Sequence, residues 1–301
     1  MMSLASLVDA GRVRENVPLG PYTTYKSGGP ARYLLEVDRV DALVDLAVSG
    51  VLVGVPLLVL GRGSNLVVAD AGFPGLVLRL GSGFGDVAVR GTVVEAGGSA
   101  PLAQVARVSV DAGLTGLEFF VGIPGSVGGA VRQNAGCFGT ETKDRLIEAR
   151  ILDLRDGSLS SRTATDLEMS YRHSKVETHH VVVSASFQAA EGETARGREE
   201  LRRITRWRRD HQPGGTFNAG SVFKNPPGTT AGKIIDSLGL KGMRVGDVAV
   251  STKHANFFVA GAAATSSDIR RLVVAVKDRV LEETGTILEP EIQFVGFEDE
   301  H

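Results

Sequence analysis

The chain has 301 residues, 43% of them hydrophobic and 23% charged, enough for a packed core and unlike a disordered tail. Lysine plus arginine, 33, against aspartate plus glutamate, 35, leaves a formal charge of −2, so the broad positive field of a nucleic-acid binder is missing. A single cysteine, Cys137, excludes an internal disulfide and a cysteine-rich metal cluster, so no metal is expected and a reducing cytoplasm fits.

The N-terminus, Met1 to Asp9, lacks the basic head and long apolar body of a secretory signal. Val40, Leu43, Val44 and Ala47 stand at helical spacing within 37–49, and Pro56 to Leu60 reads as a short buried strand running into Gly61. The longest apolar stretch, Val51 to Leu60, is about half of the ~20 residues that a membrane helix needs and carries Gly54 and Pro56, so no membrane span is expected. Short strands are expected at 75–80, 86–90 and 92–96, then a helix over 101–112 with Pro101 in its first turn. Ala149 to Leu154 and Leu159 to Arg162 flank Arg155-Asp156-Gly157, a strong hairpin signal, and His180 to Phe187 continues as a strand. From Glu191 the composition changes to a charged, Arg-rich helix over 193–209, and a domain boundary is placed near 192. Beyond it come a helix over 229–238, strands over 247–251 and 256–259, a long helix over 267–283 capped by Ser266 or Ser267 and ended by Gly285, and a final strand over 287–295. The elements add up to an α+β fold.

The glycines cluster, at Gly28-Gly29, at Gly61-Arg62-Gly63 and from Gly122 to Gly139. Leu58-Val59-Leu60-Gly61-Arg62-Gly63-Ser64-Asn65 puts small residues after a strand, where bare backbone N–H groups can converge on a diphosphate. A tight strand-to-strand turn explains that loop equally well, and Leu66 stands where a Rossmann fingerprint needs its third glycine. Gly122-Ile123-Pro124-Gly125-Ser126-Val127-Gly128-Gly129-Ala130 is harder to justify as a turn, since each ordered glycine costs chain entropy; a ligand pressed against backbone is the economical explanation. Gly228-Thr229-Thr230-Ala231-Gly232-Lys233-Ile234 is one residue short of a phosphate loop and has Ile234 where Ser or Thr is needed. By composition alone Ser221 is a turn serine, Arg172 and Glu291 are solvated charges, and the arginines from Arg202 to Arg209 are a solvated helix face.

In order, Thr24-x-x-x-Gly28-Gly29-Pro30-Ala31, Gly61-Arg62-Gly63-Ser64-Asn65, Gly122-Ile123-Pro124-Gly125-Ser126-Val127-Gly128-Gly129-Ala130, Tyr171-Arg172-x-Ser174, Gly220-Ser221-Val222-Phe223-Lys224-Asn225-Pro226 and Leu288-Glu289-Pro290-Glu291 resemble the UDP-N-acetylenolpyruvoylglucosamine reductases, flavoenzymes of peptidoglycan precursor synthesis. The resemblance runs from about Asn16 to Gly296 and is to the shorter branch that lacks a tyrosine loop. Lys26-Ser27 stands where many relatives have Arg-Val, Cys137-Phe138 where Ala-Tyr is common, and Gln293 where some carry Arg.

The resemblance implies an FAD-binding region of the vanillyl-alcohol-oxidase (PCMH) type over 1–192, in two subdomains split near 80, and a smaller C-terminal α+β substrate lobe over 193–301 whose last strand returns to the FAD region. It implies non-covalent FAD on Gly61, Arg62, Gly63, Ser64, Asn65, Gly122, Ile123, Pro124, Gly125, Ser126, Gly128, Gly129 and Ala130, with NADPH as hydride donor and UDP-N-acetylglucosamine enolpyruvate as substrate. Ser221 would be the proton donor, Arg172 and Glu291 would flank the substrate carboxylate and the developing charge, and Lys224, Asn225, Arg208 and Arg209 would meet the UDP-sugar. An FAD-linked oxidase of the same fold, or a flavin or UDP-sugar binding module without turnover, is the alternative.

Overall fold

The computed structural model describes residues 4–297. The chain forms two compact units: one takes Tyr33–Arg62, Gly75–Trp207 and the residues up to Glu15; the other takes Asn16–Arg32, Gly63–Pro74 and the chain from Arg208 onward.

The first unit is built on a five-stranded sheet in the order Leu159–Arg162, Leu146–Asp153, His180–Gln188, Val93–Gly97, Val87–Arg90, each pair antiparallel. Its hairpin turns where Asp156-Gly157 demanded: Gly157 has φ +76, and the Asp156 carboxylate accepts from the Ser158 N–H at 2.8 Å. Helix Leu102–Asp111 buries Leu102, Val105, Ala106, Ser109 and Val110, the i, i+3, i+4, i+7, i+8 stripe of a helix with one apolar face. Pro101 is its N-cap, one position ahead of the expected first turn. The stripe joins Phe120, Phe187, Val94 and Ile151 in one core, and a second core gathers Leu43 and Leu46 of helix Val40–Val48 with Leu76, Leu78, Leu152 and Val181. Strand Leu57–Val59 pairs in parallel with Leu76 to Leu78 of strand Phe73–Leu80 and delivers the chain to Gly61.

In the second unit, strands Arg244–Val245, Val248–Val250 and Phe258–Ala260 form an antiparallel sheet whose core includes Ile235 of helix Ala231–Ser237 and Ile269, Leu272 and Val276 of helix Ser266–Thr284. That long helix ends at Gly285 in the left-handed region, φ +68, as its sequence demanded. Its N-cap is Thr265 in a capping box with Asp268, displacing the expected Ser266 or Ser267. The reason is tertiary: the Asp70 carboxylate accepts from the N–H groups of Ser266 (2.8 Å) and Ser267 (2.9 Å), while Ser266 Oγ bonds Ser27 Oγ at 3.1 Å.

The strand expected over 256–259 shifts to Phe258–Ala260 because Asn256 is spent elsewhere: its Oδ1 accepts from the Phe223 N–H at 2.9 Å and its Nδ2 donates to the Phe223 carbonyl at 2.8 Å. The final strand is Gln293–Val295, shorter than 287–295, and pairs in parallel with Leu66–Val68. Glu289 and Glu291 meet the 221–224 segment instead, through Lys224 N–H to Glu289 O (2.9 Å) and Glu291 N–H to Val222 O (2.8 Å), around Pro290, which has no N–H to give. Among the described residues, no helix is long and apolar enough to cross a membrane.

Candidate active site

A cavity of about 300 Å³ lies within the first unit where its glycine turns converge: Gly61-Arg62, Gly81-Ser82, Gly98-Ser99 and Ser126 with Gly128 and Gly129. Gly98 is demanded by backbone, and three of the other glycines are crowded by protein atoms. A Cβ on Gly98 would stand 2.0 Å from the Val182 carbonyl oxygen, one on Gly81 2.3 Å from the Asp38 carboxylate, one on Gly128 3.2 Å from the Gly98 carbonyl oxygen, and one on Gly61 2.7 Å from Ser126 Oγ. Gly129 is different. In helix Val127–Gln133, its Cβ would meet only Ser126 Oγ, at an ordinary 3.6 Å, so packing does not explain why the position is bare. It is exposed, facing the cavity.

Among the described residues, the N–H groups of Gly61, Arg62 and Gly129 reach no backbone carbonyl, and Ser126, 3% exposed at the helix N-cap, does not use its hydroxyl to cap. Arg62, Arg79 and Arg132 line the same space against one carboxylate, Glu36, which accepts from Arg79 at 2.8 Å. Arg132 is largely buried, donates to the Glu177 carbonyl at 3.1 Å, and is pushed below the ordinary arginine pKa by desolvation. Bare amides and excess guanidinium suit a diphosphate. The FAD-type donor set therefore fits a cradle that a Cβ at 129 would fill.

Of the expected flavin residues, Gly61, Arg62, Ser126, Gly128 and Gly129 form the wall of this cavity. Gly122 belongs to a 3-10 turn, where a Cβ would press on Cys137 Sγ at 2.7 Å; Ile123, Pro124 and Gly125 lead from it to Ser126, and Ala130 is buried core. Gly63, Ser64 and Asn65 fall in the second unit. A Cβ on Gly63 would lie 2.1 Å from the Tyr22 carbonyl oxygen, so that glycine is required by packing. Asn65 clamps the C-terminal segment, its Nδ2 donating to the Glu291 carbonyl (3.0 Å) and its own carbonyl accepting from the Gln293 N–H (2.9 Å).

Arg79, Arg132 and His180 were not singled out from sequence. Arg132 had a readable signal, since it stands four and three residues after Gly128 and Gly129 on one helix. His180 had none, because only the sheet brings its strand to the glycine turns. Its Nδ1 accepts from the Glu177 N–H at 3.0 Å, which leaves the proton on Nε2, facing Asp153 at 3.7 Å. Asp153, His179 and His180 are grouped closely enough to suggest a cation site. Yet a protonated Nε2 has no lone pair to offer, and Asp153 is held by Arg155 at 2.7 Å, which lowers its carboxyl to about 2. Cys137 Sγ donates to the Phe119 carbonyl at 3.1 Å.

Arg172 departs from the solvated charge that composition suggested. Its side chain is only 17% exposed, its backbone is left-handed at φ +54, and it donates from Nη2 to the Gly136 carbonyl at 3.1 Å. A non-glycine residue costs of order 1 kcal/mol in that region, so the surroundings enforce the geometry. The guanidinium lies 4.9 Å over the Tyr171 ring and 3.7 Å from Glu141 Oε1.

In the second unit Ser221 follows Gly220, which has φ +75 and open space around it. Ser221 bridges Phe257, and among the described residues its hydroxyl reaches no hydrogen-bond partner. Val222, next in the chain, accepts from the Glu291 N–H, so Ser221 and Glu291 are carried on adjoining backbone. Lys224 pairs with Glu289 at 2.5 Å, and Asn225 Oδ1 accepts from the Ala231 N–H at 3.1 Å. Arg208 donates to Gln212 Oε1 at 2.9 Å, and Arg209, 74% exposed, meets Asp210 at 3.2 Å.

Residues 212–295 match the model of the UDP-N-acetylenolpyruvoylglucosamine reductase C-terminal domain, and residues 33–161 match an FAD binding domain. A UDP-N-acetylenolpyruvoylglucosamine reductase of Azorhizobium caulinodans is 42% identical over 290 residues, covering 95% of this chain and 92% of that protein. The chain belongs to the UDP-N-acetylenolpyruvoylglucosamine reductase family. A reductase of the same name from a Synechococcus species is 41% identical over 305 residues, covering 98% of this chain and 97% of its own. The crystal structure of UDP-N-acetylenolpyruvylglucosamine reductase from Thermus caldophilus superimposes with a TM-score of 0.81 at 35% identity, covering 94% of this chain and 99% of that one. The fold is thus an FAD-binding domain joined to the reductase family's C-terminal domain, and the chain is an FAD-dependent oxidoreductase. The FAD-domain match spans the cavity walls from Glu36 to Arg132, while the C-terminal match takes in Ser221, Lys224, Asn225 and Glu291 but not Arg208 or Arg209.

Proposed function

We propose that this protein reduces UDP-N-acetylglucosamine enolpyruvate to UDP-N-acetylmuramate at the expense of NADPH, in the cytoplasmic synthesis of peptidoglycan precursors. The observation that carries the reading is 42% identity across 95% of the chain, over both the FAD cradle and the Ser221 segment.

Gly61, Arg62, Ser126, Gly129 and Arg132 would hold the diphosphate of FAD through bare amides, one hydroxyl and guanidinium charge. Bound FAD supplies hydride transfer from NADPH to the enolpyruvyl double bond. Arg172 meets the substrate carboxylate and steadies the negative charge that hydride addition leaves conjugated to it. Ser221 gives its proton to the resulting carbanionic carbon; a serine is a weak acid, but that carbon is basic enough to take the proton. Glu291 holds or shares that proton by hydrogen bonding. Lys224, Asn225, Arg208 and Arg209 receive the UDP-sugar, Lys224 by exchanging Glu289 for the ligand's negative groups.

Two additions to the anaerobic holoenzyme test this. NADPH bleaches the yellow colour, and UDP-N-acetylglucosamine enolpyruvate restores it with formation of UDP-N-acetylmuramate. A preparation that fails to bind FAD, or reduced protein that the enolpyruvyl ether leaves bleached, refutes the reading.

A further inference from the structure

Arg172 is held by neighbours that none of the motifs identified. Glu141 places Oε1 3.7 Å from Arg172 Nη1, while its Oε2 accepts from Asn134 Nδ2 at 3.0 Å and pairs with Lys143 at 3.2 Å. Asn134 is fully buried and left-handed at φ +43, and its Nδ2 also donates to the Ser170 carbonyl at 2.8 Å. Ser170 and His173 bridge to each other and close the turn on which Arg172 rides. One buried amide therefore ties together the carboxylate facing Arg172 and the backbone turn carrying it.

We infer that Glu141, locked by Asn134, is a positioning residue that aims the Arg172 guanidinium at the substrate carboxylate. Glu141 also caps the short turn Thr142–Asp144, a task that needs an acceptor oxygen but no negative charge. The charge has a separate use. The Glu141 carboxylate holds the guanidinium, and Lys143, paired with the same carboxylate, offsets its negative charge, so that Arg172 keeps its attraction for an incoming carboxylate. A guanidinium offers five donors in a rigid fork, a geometry matched to a carboxylate. The inference rests on the role given to Arg172 above.

Glu141→Gln tests it, because glutamine keeps the shape and one acceptor oxygen for the cap and Asn134, while it removes the charge and turns the oxygen facing Arg172 into an N–H donor. Stopped-flow absorbance is expected to show NADPH-driven bleaching within twofold of wild type and reoxidation by UDP-N-acetylglucosamine enolpyruvate slowed about tenfold; in an Arg172→Ala background the same change should add less than twofold. Glu141→Asp, which retains the charge, should recover most of the lost rate. In calorimetry, E141Q should bind UDP-N-acetylmuramate, which carries the carboxylate, several-fold more weakly while binding UDP-N-acetylglucosamine, which lacks it, unchanged. Wild-type reoxidation by E141Q, equal slowing in both backgrounds, equal slowing of both half-reactions, or no recovery by E141D overturns the inference and leaves Glu141 a turn cap. Wild-type reoxidation by Arg172→Ala alone would instead remove the role of Arg172.

Discussion

Gly129 separates a glycine kept for a ligand from one kept for packing. Replacing it by alanine puts a methyl 3.6 Å from Ser126 Oγ and near nothing else, so the apoprotein meets no clash. Alanine is favoured over glycine in a helix by about 0.5–1 kcal/mol, so the apo melting temperature should hold or rise by about 1–3 °C. The same methyl projects into the cavity, and overpacking a close contact typically costs about 1–3 kcal/mol, which predicts a roughly 5- to 150-fold weaker FAD complex. Gly128→Ala is the contrast, since its methyl would press on the Gly98 carbonyl oxygen at 3.2 Å, which offsets the helix gain, so its apo form should melt below that of Gly129→Ala. Thermal melts of flavin-stripped protein, paired with titration of FAD followed by its fluorescence, measure both quantities. A Gly129→Ala protein that holds FAD as tightly as wild type, or whose apo form melts as early as Gly128→Ala, would refute the assignment of the cavity.

Ser221→Ala should leave bleaching by NADPH nearly intact and slow reoxidation by the enolpyruvyl substrate by about 10²–10⁴-fold, the usual worth of positioned proton transfer; equal slowing of both halves in stopped flow would count against the proton-donor role. Thr265→Ala should cost about 1 kcal/mol in denaturant unfolding by removing a capping box that Ser266 is not free to replace, and Ser266→Ala should leave that capping box intact. Asp153 is depressed to about 2 by Arg155, so its stabilisation is present above about pH 4 and is lost as pH falls through the folded value. Screened by the exposed Arg155, that contribution is roughly 1–2 kcal/mol, and the acid limb of the stability curve should flatten between pH 4 and 2 in Arg155→Ala.

Sequence alone determined the elements whose causes are local. The apolar stripe of Leu102–Asp111, the Asp156-Gly157 hairpin and the Gly285 stop each depend on periodicity or on a backbone angle that one residue type supplies. The motif order carried the family, and with it FAD and the reaction. Tertiary structure decided which of several equivalent residues takes each task. Three hydroxyls in a row, Thr265, Ser266 and Ser267, could cap the long helix, and Thr265 does so because Asp70 and Ser27, distant in sequence, engage the other two. Gly61, Gly122 and Gly129 look alike along the chain; only the neighbours brought by folding show that Gly122 makes room for Cys137 and that, among the described residues, a Cβ at Gly129 would meet only Ser126 Oγ at an ordinary 3.6 Å. Arg172 reads as a solvated cation because its partners, Gly136 and Glu141, lie more than thirty residues away, and burial is a property of those contacts rather than of the residue.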